Sequence, residues 1–258
     1  MAQQPPLRPD ETQRVLAVLA PLLKERNVVL VGGQAVAFWA VYLSRPKLKL
    51  PVVATRDIDF EGAKTAAQRA AKLLEAEVKI PKRSDRTPIT GSVVFLDSDG
   101  HRRELDFIES PRGLNARDVR DTAVRVTTAD PAGGQEIPFW VMHPERSMES
   151  RVYNVAELRR TGAISMDQLK VSIDCAREWS RALLGDESFS ARKRQRAVLR
   201  LNERIFRKCR SDRSFRAMHR RHQVDPFEAV LVDERLPDEF HERRYPQMLA
   251  ALDEVRGS

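Results

Sequence analysis

The spacing of apolar and polar residues changes character along the chain. Val15, Leu16, Leu19, Leu22 and Leu23 recur at helical intervals behind Asp10, a capping residue, so a helix is expected over 10–25. Asn27 breaks that pattern. Val28, Val29, Leu30 and Val31 form a continuous apolar run that stops at Gly32 and Gly33, the mark of a buried strand. An Ala- and aromatic-rich helix is expected over 34–43, a loop over 44–51, a second strand over 52–60 and a helix over 63–76. Residues 81–88 read as polar loop. The stretches 92–97 and 103–108 alternate on either side of Ser98, Asp99 and Gly100, which predicts a hairpin. Short strands are expected at 125–127 and 137–141, and Pro5, Pro6 and Pro9 mark a loose start.

After His143 and Pro144 the pattern is helical, with stops at Gly162, Gly185 and Pro226. The fold class expected is α+β: a mixed β-sheet core with flanking helices over 1–142, then an α-helical C-terminal domain over 143–258. A chain of 258 residues is long enough for one large domain or two modest ones. Cys175 and Cys209 are too few for a disulfide framework, which suits a reducing, cytoplasmic setting. The first residues lack the apolar core of a signal peptide. The longest apolar run, 28–43, is interrupted by Gly32, Gly33 and Gln34 and falls short of the roughly 20 residues that span a bilayer, so no membrane partner is expected.

Charge sharpens the division. The net charge is +8, yet residues 185–224 hold thirteen Lys and Arg against four acids, so the remainder of the chain is close to neutral. Within that segment Val198, Leu201, Ile205 and Cys209 share one helical face, while Arg192, Arg196, Arg200, Arg204 and Lys208 run at intervals of four along another. Two readings stay open: a solvated helix face, or a surface for the phosphate backbone of RNA or DNA. The histidines show no metal-ligand spacing, and Trp39, Trp140 and Trp179 read as core residues.

Three further features bear on chemistry. The strand ending at Gly32 and Gly33 leads into a helix whose first N–H groups can receive a phosphate. Asp57 and Asp59, two apart on a strand, point the same way while Ile58 and Phe60 point to the core. Adjacent carboxylates repel unless a cation lies between them, and a hard ion such as Mg²⁺ suits carboxylate and phosphate oxygens. Asp106, between Leu105 and Phe107 in the second hairpin strand, is placed either to join that pair or to face solvent.

The order Gly-Gly, Asp-x-Asp, then apolar-Asp-apolar resembles the nucleotidyltransferase superfamily related to DNA polymerase beta, over about residues 25–110. Three stretches look like the AbiEii-type group within it: residues 31–35 (Val-Gly-Gly-Gln-Ala), 55–60 (Thr-Arg-Asp-Ile-Asp-Phe) and 143–151 (His-Pro-Glu-Arg-Ser-Met-Glu-Ser-Arg). The resemblance implies a nucleotidyltransferase-like sheet and transfer of an NMP from an NTP to an acceptor hydroxyl. It implies Asp57, Asp59 and Asp106 as ligands of Mg²⁺ or Mn²⁺, with Gly32, Gly33 and Gln34 on the phosphates and Arg56 and Arg151 neutralising them. Asp167 and Lys170 are further nucleotide-binding candidates by the same route. The superfamily's common serine is absent after Gly32, Arg151 stands where lysine is usual, and Asp167 precedes Lys170 by three instead of adjoining it. The basic segment favours tRNA or another RNA as acceptor, with protein or a small molecule as alternatives. Members of the group include toxins of toxin–antitoxin pairs, which implies a possible antitoxin partner. A non-catalytic RNA- or partner-binding protein on the same scaffold is the contrasting reading.

Overall fold

A computed structural model of the chain describes residues 7, 9–43, 57–129, 133 and 136–257. It is an α+β protein whose described residues divide into two compact units, residues 7–38 with 57–147, and residues 39–43 with 148–257.

The first unit is built on a mixed seven-stranded sheet. Its strands are β1 (Val29–Val31), β2 (Ile58–Glu61), β3 (Glu77–Lys79), β4 (Ile89–Leu96), β5 (Arg102–Ile108), β6 (Val124–Ala129) and β7 (Glu136–Val141), in the spatial order β3-β4-β5-β2-β1-β7-β6. β2 runs parallel to β5 and antiparallel to β1, and β1 runs parallel to β7. The expected hairpin forms between β4 and β5, with Gly100 in the left-handed region at φ +78° in its turn. The expected short strands at 125–127 and 137–141 fall within β6 and β7, which pair antiparallel.

Helices α1 (Pro9–Leu23) and α3 (Lys64–Leu73) pack against the sheet and each other. Val15, Leu16, Leu19, Leu22 and Leu23 of α1 are all buried, as their spacing predicts. Pro9, expected in a loose start, instead opens α1, where a missing N–H costs no helical bond. On the sheet, Ile58, Phe60, Leu105 and Phe107 are fully buried, with Phe60 and Phe107 stacked at 5.7 Å. Gly91 of β4 lies so close to α3 that a Cβ there would come within 2.6 Å of Ala67 Cβ.

Helix α2 (Gly32–Leu43) starts two residues before the expected 34, so both glycines belong to its first turn. The second strand is shorter than expected: β2 begins at Ile58, Asp57 lies in a bend before it, and residues 52–56 are outside the described residues, as is the loop expected over 44–51. β3 and α4 (Ala116–Thr122) were not predicted. Each presents little periodicity, with no buried residue in β3 and Val119 alone in α4, whose cap is Asn115 accepting from the Arg117 N–H at 2.8 Å.

The second unit is helical, comprising the end of α2 with α5 (Pro144–Ala156, from Met148), α6 (Ala163–Gly185), α7 (Ala191–Ser211), α8 (Arg213–His222) and α9 (Tyr245–Gly257). Gly162 caps α6 and Gly185 ends it, at the expected stops. Met148, Val152, Leu169, Ile173, Val198, Ile205, Phe206, Phe215, Met218 and Phe227 belong to one buried cluster. Within it Asn202 of α7, fully buried, exchanges two hydrogen bonds with the Leu231 backbone at 2.8 and 3.0 Å, as a peptide group would. Cys175 and Cys209 are both buried, and burial pushes the Cys175 thiol up to about 12. Among the described residues no helix is long and apolar enough to cross a membrane.

One buried ion cluster ties the hairpin to α1. Arg103, with a side chain 2 % exposed, donates from Nε to Asp97 at 2.7 Å and from Nη2 to Glu11 at 3.4 Å. Burial raises the Asp97 carboxyl, but N–H donors of His101 and Asp99 and the Arg103 guanidinium outweigh it and hold the group well below the usual carboxylate range. A carboxyl lowered on folding contributes stability above its unfolded value near 3.9 and loses that contribution as pH falls through the folded value. Asp97→Asn is therefore expected to flatten the acid limb of stability below about pH 4, read by urea unfolding across a pH series. Arg103→Ala, which removes the guanidinium shared by two buried carboxylates, is expected to cost about 3–5 kcal/mol in the same measurement at neutral pH.

Candidate active site

The register of three strands assembles the site. Val31 at the end of β1 lies opposite Asp59 of β2, and Asp59 is the direct neighbour of Asp106 in parallel β5. Strand alternation turns Asp59 and Asp106 to one face, away from the fully buried Ile58, Phe60, Leu105 and Phe107. Both carboxylates are half-buried. Ser92, the antiparallel neighbour of Asp106 in β4, donates its hydroxyl to Asp106 Oδ1. Of the two placements open for Asp106, the structure selects the one beside Asp59.

Gly32 fits against this pair. Its φ is +67°, and a Cβ at that position would lie 2.0 Å from Asp59 Oδ2. The position needs glycine twice over, for its left-handed backbone and for the close carboxylate. The first turn of α2, with Gly33 and the buried Gln34, therefore starts beside Asp59.

Asp57 does not share β2 with Asp59. It is exposed in the preceding bend. Among the described residues no three His, Cys, Asp or Glu come together as a group able to hold a metal ion. The chemistry of Asp59 and Asp106, two neighbouring hard oxygen donors, suits Mg²⁺ or Mn²⁺, since Mg²⁺ is commonly held by one or two carboxylates with the rest of its shell from water and substrate phosphate. Arg56 lies outside the described residues.

Sequence reasoning missed Glu61, although it continues the alternation one step beyond Asp59. Its side chain is 3 % exposed, 3.8 Å from the Arg120 guanidinium of α4, and its Oε2 has no hydrogen-bond partner. Burial pushes its carboxyl up to about 7, with Arg120 pulling the other way.

The remaining candidates belong to the second unit. Arg151 of α5 donates from Nη1 to Gln168 Oε1 at 2.9 Å. Gln168, buried on α6, is thus the polar partner there, whereas Asp167 and Lys170 on either side are exposed. On α7, Val198, Leu201, Ile205 and Cys209 are buried while Arg192, Arg196, Arg200 and Arg204 are exposed, so the helix carries a basic outer face. Lys208 departs from that stripe. Its Nζ donates to Tyr153 Oη at 3.0 Å and lies 3.9 Å from the buried Glu149, and Tyr153 in turn donates to Asp212 at 2.7 Å. Burial lowers the Lys208 ammonium, but Tyr153, Glu149 and Asp212 together hold it above its ordinary value.

No family model matches the chain, and no curated protein matches it. Among solved structures, the chain is similar to JHP933 from Helicobacter pylori, with 13% identity over 97% of this chain and 99% of that one, at a TM-score of 0.37.

Gly32→Ala is expected to destabilise the chain by about 1–3 kcal/mol from backbone strain alone, with the clash added, in urea unfolding. Asp59→Ala combined with it is expected to recover part of the loss, because it removes Oδ2 and Cγ, two of the three closest atoms.

Proposed function

We propose that this chain is a divalent-cation-dependent nucleotidyltransferase that moves an NMP from an NTP to an acceptor hydroxyl, with RNA as the acceptor class. The observation that carries the reading is the pairing of Asp59 with Asp106 directly beside the N-terminus of α2. Asp59 and Asp106 would hold the cation, which when bound supplies positive charge to the phosphate oxygens. The first N–H groups of α2, at Gly33 and Gln34, receive the β and γ phosphates, where the helix dipole favours negative charge. The acceptor oxygen bonds to the α phosphorus, the bond from that phosphorus to the bridging oxygen breaks, and pyrophosphate leaves. Ser92 occupies Oδ1 of Asp106, and Oδ2 is the atom assigned to take the acceptor's proton.

The basic face of α7 supports a polyanionic acceptor. Arg192, Arg196, Arg200 and Arg204 are the side chains it presents, and Lys208 is spent within the unit on Tyr153 and Glu149.

Incubation with each labelled NTP, total tRNA and lysate protein tests the activity. Label is expected in the tRNA fraction, falling to background for Asp59→Ala and for Asp106→Asn. Label that persists in both variants would refute the acid pair, and label confined to protein would redirect the acceptor. For RNA binding, changing Arg196, Arg200 and Arg204 together to Glu is expected to weaken tRNA binding and to make the slope of log affinity against log salt shallower by roughly 2. Lys208→Ala is expected to leave that slope unchanged.

A further inference from the structure

All ten phenylalanines are among the described residues, and Phe189 alone of them is exposed, at 52 %. It lies in the turn between α6 and α7, directly before Ser190, the cap residue of α7. Hydrogen bonds hold that turn closed. Asp186 Oδ1 accepts from the Ser188 N–H at 3.0 Å and from the Ser188 hydroxyl at 2.6 Å, and the Phe189 N–H donates to the Asp186 carbonyl at 3.3 Å. The ring is thus presented on an ordered turn, outside the buried cluster of the helical unit.

The basic face of α7 starts three residues further on. Arg192, Arg196, Arg200 and Arg204 are exposed and spaced by four, so at 1.5 Å per residue their Cα atoms form a track roughly 18 Å long. Three residues of chain place the Cα of Phe189 within about 11 Å of that of Arg192. The aromatic therefore stands at the N-terminal end of the arginine track. Asp186 and Glu187 share its turn. They disfavour a phosphate there but not an uncharged base.

A single exposed apolar side chain needs no explanation. One at the end of a line of arginines is the combination that unpaired nucleic acid uses, with phosphates along the cations and a base on the ring. A duplex offers phosphates too, but its bases are stacked on one another and closed to an aromatic side chain.

We infer that the α6–α7 turn and α7 form a platform for single-stranded RNA, with one base stacked on Phe189 and the backbone following Arg192, Arg196, Arg200 and Arg204. This rests on the reading of the basic face of α7 as an RNA surface, and it names unpaired strand as the form of RNA taken.

The test is fluorescence anisotropy of the full chain with a labelled 12-nucleotide RNA, the same strand made abasic throughout, and the same strand paired to its complement. Phe189→Ala is expected to weaken binding of the base-bearing single strand by about 5- to 30-fold and to leave the abasic strand and the duplex within twofold. Phe189→Trp is expected to retain binding, and Phe189→Leu to match Phe189→Ala, since stacking needs a flat ring. None of the three removes a charge, so the slope of log affinity against log salt is expected to stay the same. Unchanged binding of the base-bearing strand by Phe189→Ala, equal losses on the abasic strand, or full retention by Phe189→Leu would each overturn the stacking role. Changing Arg196, Arg200 and Arg204 together to Glu separates the two readings. A loss there with no effect of Phe189→Ala overturns the platform alone, whereas no loss there overturns the RNA surface and the platform with it.

Discussion

Asp59 is the point on which the sheet-bearing unit depends. Its backbone pairs with β1 on one side and β5 on the other, and its carboxylate presses against Gly32, where the chain leaves the sheet for α2. Three constraints meet in one residue. The antiparallel register with Val31 fixes where β1 stops, the parallel register with Asp106 brings a second acid alongside, and the close carboxylate leaves no space for a Cβ at the start of α2. Any change that slides β2 by one residue would turn Asp59 into the core and Ile58 out of it, so the apolar face holds the acids in place. Ile58, Phe60, Leu105 and Phe107 stabilise the sheet and aim Asp59 and Asp106 by the same geometry.

The helical unit is organised differently. Several of its polar groups are partnered between elements: Asn202 with the Leu231 backbone, Glu203 with Arg244 at 2.7 Å, and Lys208 with Tyr153 and Glu149. These pairs leave the outer face of α7 to arginine. A stripe read as five equivalent cations separates into four exposed arginines and one lysine held by a tyrosine and a buried glutamate.

Glu61 shows how far a strand pattern extends. The alternation that singled out Asp59 continues to Glu61, but an acid two residues further along carries no local sign that it will be buried. That depends on α4 and on the strands flanking β2, which are distant in sequence. The same holds for Gln168, a polar residue between two exposed charged neighbours on α6, whose burial and pairing with Arg151 follow from how α5 meets α6.

The sequence by itself determined the α+β class, the hairpin of β4 and β5, the buried face of α1 and the basic outer face of α7. These are readable because periodicity of two or 3.6 residues records which side of an element is buried, and capping and glycine residues record where it ends. The tertiary structure alone decided that Asp106 stands beside Asp59, that Asp57 falls before the strand, that Gly32 must lack a side chain, and that Lys208 turns inward. Each of these rests on residues brought together across long separations by strand register or helix packing. Local spacing sets the face of a side chain, whereas its neighbour is set by pairing between elements that no short stretch of sequence encodes.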